Sequence, residues 1–314
     1  MLKELLDTNH CFKLVCGAGN EDVEEIKRLV YVYAIAGCRF FDLSANEEVI
    51  QAAREALDLA KVYDAYISVS VGIKNDPHVN KAVIDYNRCV NCGSCEAVCP
   101  QGAIHYAKVK KIKCIGCGRC WKVCSRAAIS YVSEEKNLEE VLPSIVEKGI
   151  DCIEFHAMGT DEEEINTKWE YINNNYEGIL SICTSRGKLS DEALIKRIKD
   201  MIENRKPYTT IIQADGFPMS GGEDDYKTTL QAVATAEIVQ NANLPVYLML
   251  SGGTNSKTTE LAKMCNIKYS GVAVGSYARK IVKRWINRND FWTNPNVIKN
   301  ALEVAKPLID TVIS

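Results

Sequence analysis

CVNCGSCEAVCPQGAIHYAKVKKIKCIGCGRCWKVCS, residues Cys89–Ser125, holds eight of the chain's 14 cysteines in two runs of one spacing, C-x2-C-x2-C-x3-C. Thiolates at steps of three suit the corners of an iron–sulfur cube, whereas a structural zinc normally takes two close cysteine pairs set far apart. In this spacing the fourth cysteine of each run crosses to the other cluster. The expected ligand sets are therefore Cys89, Cys92 and Cys95 with Cys124, and Cys114, Cys117 and Cys120 with Cys99. The alternative is a disulfide-rich or zinc-binding loop, which two complete runs of matching spacing disfavour.

The segment resembles the bacterial two-cluster ferredoxins, including Pro100 and the Gly102–Ile104 triplet after the first run; Ser125 stands where a second proline is expected. Its charge also departs from that of its surroundings. Residues 84–133 carry eight Lys and Arg against Asp85 and Glu96, leaving 30 basic and 39 acidic side chains elsewhere. Either the excess offsets the negative charge of two [4Fe-4S] clusters, or it forms a docking patch for an acidic electron donor such as ferredoxin or flavodoxin.

Outside this insert, residues 1–83 and 134–314 amount to about 264 residues, the size of a (β/α)8 barrel. Eight β-rich runs fall at 13–18, 39–44, 66–71, 151–157, 178–184, 209–215, 245–251 and 270–275. Amphipathic stretches such as 21–36, 47–61, 137–148, 190–204, 226–241 and 256–265 separate them, with Gly37 and Gly149 placed as helix stops. The expected fold is thus α/β, a (β/α)8 TIM-like barrel carrying a ferredoxin-like insert between its third and fourth strands; a doubly wound open sheet is the alternative. In a barrel, helix-facing positions must be apolar. Leu14 and Cys16, Phe41 and Leu43, Ile67 and Val69, Ile153 and Phe155, Leu180 and Ile182, and Ile212 and Ala214 meet that requirement.

The opposite parity faces the lumen and reads Lys13, Asp42, Ser68, Ser70, Glu154, His156, Ser181, Cys183, Gln213 and Asp215. A lumen that serves only stability is filled with Val, Ile and Leu, so this one is expected to bind something. His156, Asp215 and Cys183 are the catalytic candidates, as groups able to supply or remove a proton. Lys13 and Gln213 are candidate cofactor contacts, with a buried ion pair from Lys13 to Asp42 or Glu154 as the plainer reading. Cys11, Cys38, Cys152 and Cys265 are read as packing residues.

LSGGTNS (250–256) follows the seventh run and VGSYARK (274–280) the eighth, where many barrels hold phosphate. Gly252, Gly253, Thr254, Gly275 and Ser276, with Arg279 as counter-charge, form the candidate cradle; tight turns without a ligand are the alternative. A phosphate site beside redox clusters points to FMN, since a flavin passes one electron at a time to clusters and two to a substrate. The glycine-rich loop 214–225, centred on Met219–Gly222, suits a lid.

FKLVCGAGN (12–20), the double cysteine run, QADGFPMSGG (213–222), LSGGTN (250–255) and GSYARK (275–280) together resemble the light-dependent period protein A family. The resemblance spans nearly the whole chain and implies an iron–sulfur protein that reports cellular redox state. A net charge of −3 argues against general nucleic-acid binding. No apolar run reaches 18 residues and no signal peptide is evident, so a cytoplasmic protein with no membrane insertion is expected. Two functions follow. One is an oxidoreductase passing electrons from two clusters to a flavin or small-molecule substrate at the barrel mouth; the other is a non-enzymatic sensor or relay acting through a protein partner. A barrel kept only as scaffold is a third reading.

Overall fold

Parallel strands with two apolar faces stay folded only if helices cover one face and the strands close over the other. The structure, a computed structural model that describes residues 1–17, 19–74, 76, 79–134, 137–187, 189–216 and 222–313, meets this as a closed barrel. A short helix α1 (Leu2–Asp7) precedes β1 (Cys11–Val15), α2 (Val23–Ala36), β2 (Phe40–Ser44), α3 (Glu47–Ala60) and β3 (Tyr66–Gly72). The inserted segment contributes β4 (Asn80–Ile84), α4 (Ser94–Ala97), β5 (Ile104–His105), β6 (Lys108–Val109), α5 (Arg119–Val123) and β7 (Ile129–Ser133). The chain returns through α6 (Leu138–Glu147), β8 (Cys152–His156), α7 (Glu162–Asn175), β9 (Ile179–Ser185), α8 (Asp191–Ile202) and β10 (Thr210–Asp215). It ends with α9 (Tyr226–Asn241), β11 (Tyr247–Ser251), α10 (Thr258–Met264), β12 (Gly271–Val274), α11 (Ser276–Ile286) and α12 (Pro295–Ile313).

All eight expected strands form the barrel, in the order β1-β12-β11-β10-β9-β8-β3-β2, and the open-sheet alternative falls. The expected parity holds. Leu14, Phe41, Val69, Phe155, Ile182 and Ala214 join one core beneath the helices. The other parity splits by height. Cys11, Phe40, Cys152, Ile211, Tyr247, Met249 and Ala273 make an apolar floor that α1 closes with Leu2 and Leu6. The polar side chains stand above it.

Helix starts follow local chemistry. Asp22, Asn46, Asn137, Asp161, Ser190 and Asp225 each cap a helix by accepting from a backbone N–H one turn in. The sequence pattern missed α1 and α7. Helix α7 carries Glu162, Glu163 and Glu164 in its first turn and buries only Ile165, Trp169 and Ile172. Helix α12 packs on α2, α11 and β1 through Val297, Ala301, Ala305, Leu308 and Ile309, so the C-terminal segment covers the barrel.

The insert stands on an antiparallel ribbon, β4 against β7, with Asn80 opposite Ser133. Its small core consists of Ala82, Ala103, Ile104, Ile129 and cysteines. Among the described residues, no helix is long and apolar enough to cross a membrane.

Candidate functional site

Within the insert the backbone repeats itself. Cys89, Asn91, Gly93, Cys99 and Gly102 recur at one constant offset as Cys114, Gly116, Gly118, Cys124 and Ala127. Asn91, Gly93, Gly102, Gly116, Gly118 and Ala127 all have positive φ. These left-handed turns curl each run around a hollow. Cys89, Cys92, Cys95 and Cys124 line one cavity, and Cys99, Cys114, Cys117 and Cys120 line another, the crossed sets expected from the spacing.

The donor geometry suits cubes. A single zinc at about 2.3 Å from each sulfur would draw the thiolates to under about 4 Å apart. Among the described residues, neither quartet includes three metal-ligating atoms within 4.8 Å of one another. Backbone N–H groups also point at sulfur: Asn91 to Cys89 at 3.4 Å, Ala82 to Cys114 at 3.4 Å, Ala103 to Cys99 at 3.2 Å and Ala128 to Cys124 at 3.3 Å. Such bonds stabilise negative charge on cluster sulfurs.

The insert docks over the barrel mouth beside the β1–α2 loop. The buried Lys81 ammonium donates to the Gly19 carbonyl at 2.7 Å and to the Cys114 carbonyl at 2.8 Å. Lys113 pairs with Asp22 and Glu25, each at 3.2 Å, and Lys110 with Asp22 at 3.4 Å. Part of the basic excess is thus spent on holding the insert to the barrel, a use the composition did not suggest. On the other side Lys283 donates to the Pro100 carbonyl.

Between insert and barrel lies a cleft of about 640 Å³. Cys99 and Cys117 form part of one wall, with Arg119 and Lys122; Ser276, Arg279, Lys280 and Lys283 of α11 form the other. Arg279 is buried and donates to the Val15 carbonyl at 2.7 Å, while its Nε has no partner. Burial lowers its pKa, and Cys16 and Glu25 oppose that shift. Lys280 donates to the Gly222 carbonyl at 2.7 Å. The centre of the expected lid, residues 217–221, lies outside the described residues.

The expected phosphate cradle divides. Ser276 and Arg279 face the cleft. Gly252 and Gly253, at φ +66° and +81°, are explained by packing within the chain: a Cβ would lie 2.7 Å from the Gly216 nitrogen and 2.5 Å from the Thr228 carbonyl, respectively. Thr254 donates its hydroxyl to Ala273, and Gly275 packs against Val15.

The catalytic candidates do meet, around Glu154. Strand register places His156 beside Cys183 and Cys183 beside Gln213. His156 Nε2 lies 3.3 Å from Glu154 Oε1, Cys183 donates to the same oxygen at 3.1 Å, and Gln213 Nε2 donates to Cys183 Sγ at 3.0 Å. His156 Nδ1 lies 2.7 Å from Asp76. Lys13, fully buried, pairs with the other Glu154 oxygen and lies 3.8 Å from Asp42, which accepts from Ser70. The plainer reading of Lys13 is thus the one observed.

Burial alone would lower the His156 pKa, but Asp76 and Glu154 raise it well above its ordinary value. Burial pushes Asp215 up to about 7 and raises Cys183 as well. Asp76 and Lys81 escaped the sequence reading because neither lies in a periodic pattern. Lys280 and Lys283 were legible as one helical face with Ser276. Cys265 is exposed, which corrects its reading as a packing residue; Cys11, Cys38 and Cys152 are buried.

Residues 144–311 match the light dependent period A C-terminal domain family. The chain belongs to the light dependent period A family. It is 28% identical to Light dependent period A of Synechococcus elongatus, over 98% of this chain and 92% of that protein. The family match takes in β8 to β12, hence Glu154, His156, Cys183 and Asp215, and both glycine loops. Residues 82–105 match a 4Fe-4S binding domain, which covers the first cysteine run. Two solved structures resemble this family member in fold: YdjI aldolase from Escherichia coli K12 (8% identity, 98% and 92% of the two chains, TM-score 0.52) and GGGPS from Thermoplasma volcanium (10%, 99% and 97%, 0.50).

Proposed function

We propose that the chain is an electron-transfer oxidoreductase in which two [4Fe-4S] clusters, held by the crossed quartets, deliver electrons to an acceptor in the cleft between insert and barrel. The observation that carries this reading is a shared wall: Cys99 and Cys117 border both the second quartet's cavity and the cleft. When bound, such clusters take up and release single electrons.

The chain's own residues do the rest. The N–H bonds to sulfur would favour the reduced, more negative state of a cluster held there. Ser276 at the start of α11, with Arg279, Lys280 and Lys283 further along it, supplies donors and positive charge for a phosphate-bearing acceptor, for which FMN has the right chemistry. Electrons enter from outside. Tyr86, Val90, Tyr106 and Trp121 are 67%, 60%, 72% and 58% exposed on the insert, which also carries Lys108 and Arg126, an apolar and basic surface that fits an acidic donor such as ferredoxin or flavodoxin. The same exposed side chains favour a second reading, in which the chain relays redox state to a protein partner without chemistry of its own.

Purification under argon, followed by assay of iron, sulfide and released flavin, separates the two. The first reading expects iron for two clusters, lowered by Cys124→Ala and by Cys99→Ala. It also expects flavin that is lost from Arg279→Ala at full iron content. Full iron with neither bound flavin nor reduction of added FMN would leave the relay reading.

A further inference from the structure

The lumen group takes no part in the electron route above and has the build of a metal centre. We propose that Glu154, His156 and Cys183 bind one zinc-class divalent cation in the upper lumen, its fourth position open, apart from the cysteine clusters and independent of the proposed electron route. Among the described residues these three are the one group whose ligand atoms all lie within 4.8 Å of one another. The 3.1 Å and 3.3 Å separations at Glu154 Oε1 are close to the spacing of about 3.3–3.8 Å that tetrahedral bonds of 2.0–2.3 Å impose.

A second line comes from the shell around them. Each ligand has a support that fixes its orientation: Asp76 holds His156 Nδ1, Lys13 holds the second Glu154 oxygen, and Gln213 holds Cys183. A carboxylate on the far nitrogen of a ligating histidine is the usual way of aiming its other nitrogen at a metal. A third line is what the hydrogen bonds leave over. Asp215 is buried and bonds Ser251 and Cys183, yet its Oδ2 has no partner, an unpaired acceptor that a water on the metal's open position would answer. The donor set selects the ion. One sulfur, one imidazole nitrogen and one carboxylate oxygen suit zinc, whereas magnesium and calcium take oxygen alone.

The test uses the whole iron-loaded chain, dialysed against chelator under argon and then titrated with Zn2+. Metal content is counted and zinc X-ray absorption recorded. The expected result is one zinc above the full iron content with a single sulfur in its first shell, and no zinc–sulfur signal in Cys183→Ser. In Asp76→Asn, zinc affinity should fall by about 10–100-fold at unchanged iron content and circular dichroism, which keeps the test valid should Cys183→Ser fail to fold. Zinc surrounded by three or four sulfurs would place it in the cysteine runs and overturn the proposal. So would the absence of uptake by the iron-loaded chain, or wild-type affinity in Asp76→Asn.

Discussion

A lysine with no solvent contact must be answered by charge. At Lys13 the answer is Glu154, with Asp42 behind it. Burial favours the neutral amine, but the two carboxylates prevail and keep it charged. Glu154→Gln should therefore destabilise the barrel by about 3 kcal/mol, because it leaves a buried ammonium with Asp42 alone at 3.8 Å, and adding Lys13→Met should recover part of that loss. Urea unfolding followed by far-UV circular dichroism would show whether the double variant is the more stable. The pair was legible from the sequence as alternating polar residues on facing strands. Asp76 was not, since it enters from the loop after β3. At Asp22, burial disfavours the charge, but the Glu25 N–H, Lys113 and Lys110 hold its carboxyl below the ordinary 3.8. A depressed carboxyl contributes stability at neutral pH that disappears as acid protonates it. Asp22→Asn keeps the helix cap but removes the charge, so it should loosen the insert by about 1 kcal/mol at neutral pH. The penalty should shrink as pH falls below 3.8 and be gone once pH has passed the carboxyl's depressed folded value, which proteolytic nicking of the insert compared at neutral and strongly acid pH would reveal.

Among the elements, the paired cysteine runs carry the clearest record of a repeated unit, and they also show where the repeat is imperfect. Ala127 occupies the left-handed position that Gly102 fills in the first run, at φ +47° against +64°. Ala127→Gly should relieve about 1 kcal/mol of strain and raise the temperature at which cluster absorbance is lost, with no change in iron content. The strands were readable because each is short, β-rich and bounded by turn residues. Helix α7 was obscured because its buried stripe is only Ile165, Trp169 and Ile172 amid acidic and amide side chains. Helix α1 is too brief for a periodic signal, and its role as a floor exists only once the barrel has closed. The glycines at 252 and 253 have two possible reasons in the sequence and one in the packing: a close approach of chain to chain demands the same residue as a close approach of chain to phosphate.

At the scale of the molecule, two bodies of unequal self-sufficiency share one chain. The barrel has a continuous apolar core, whereas the insert's own core is a handful of side chains, several of them cysteines. Small domains of that kind depend on their metal to fold. Stripping iron should therefore abolish the ordered structure of residues 84–128 while leaving the barrel's helical circular dichroism and main thermal transition nearly intact. Amide exchange would map the boundary, and a single cooperative collapse of both parts would contradict it. The ribbon explains why such a division is tolerable. Asn80 faces Ser133, so the polypeptide leaves the barrel and comes back through one doorway. The cylinder can close behind that doorway whatever happens beyond it. On that division, iron supply would decide when the insert is ready, and would have no say in whether the larger body survives the wait.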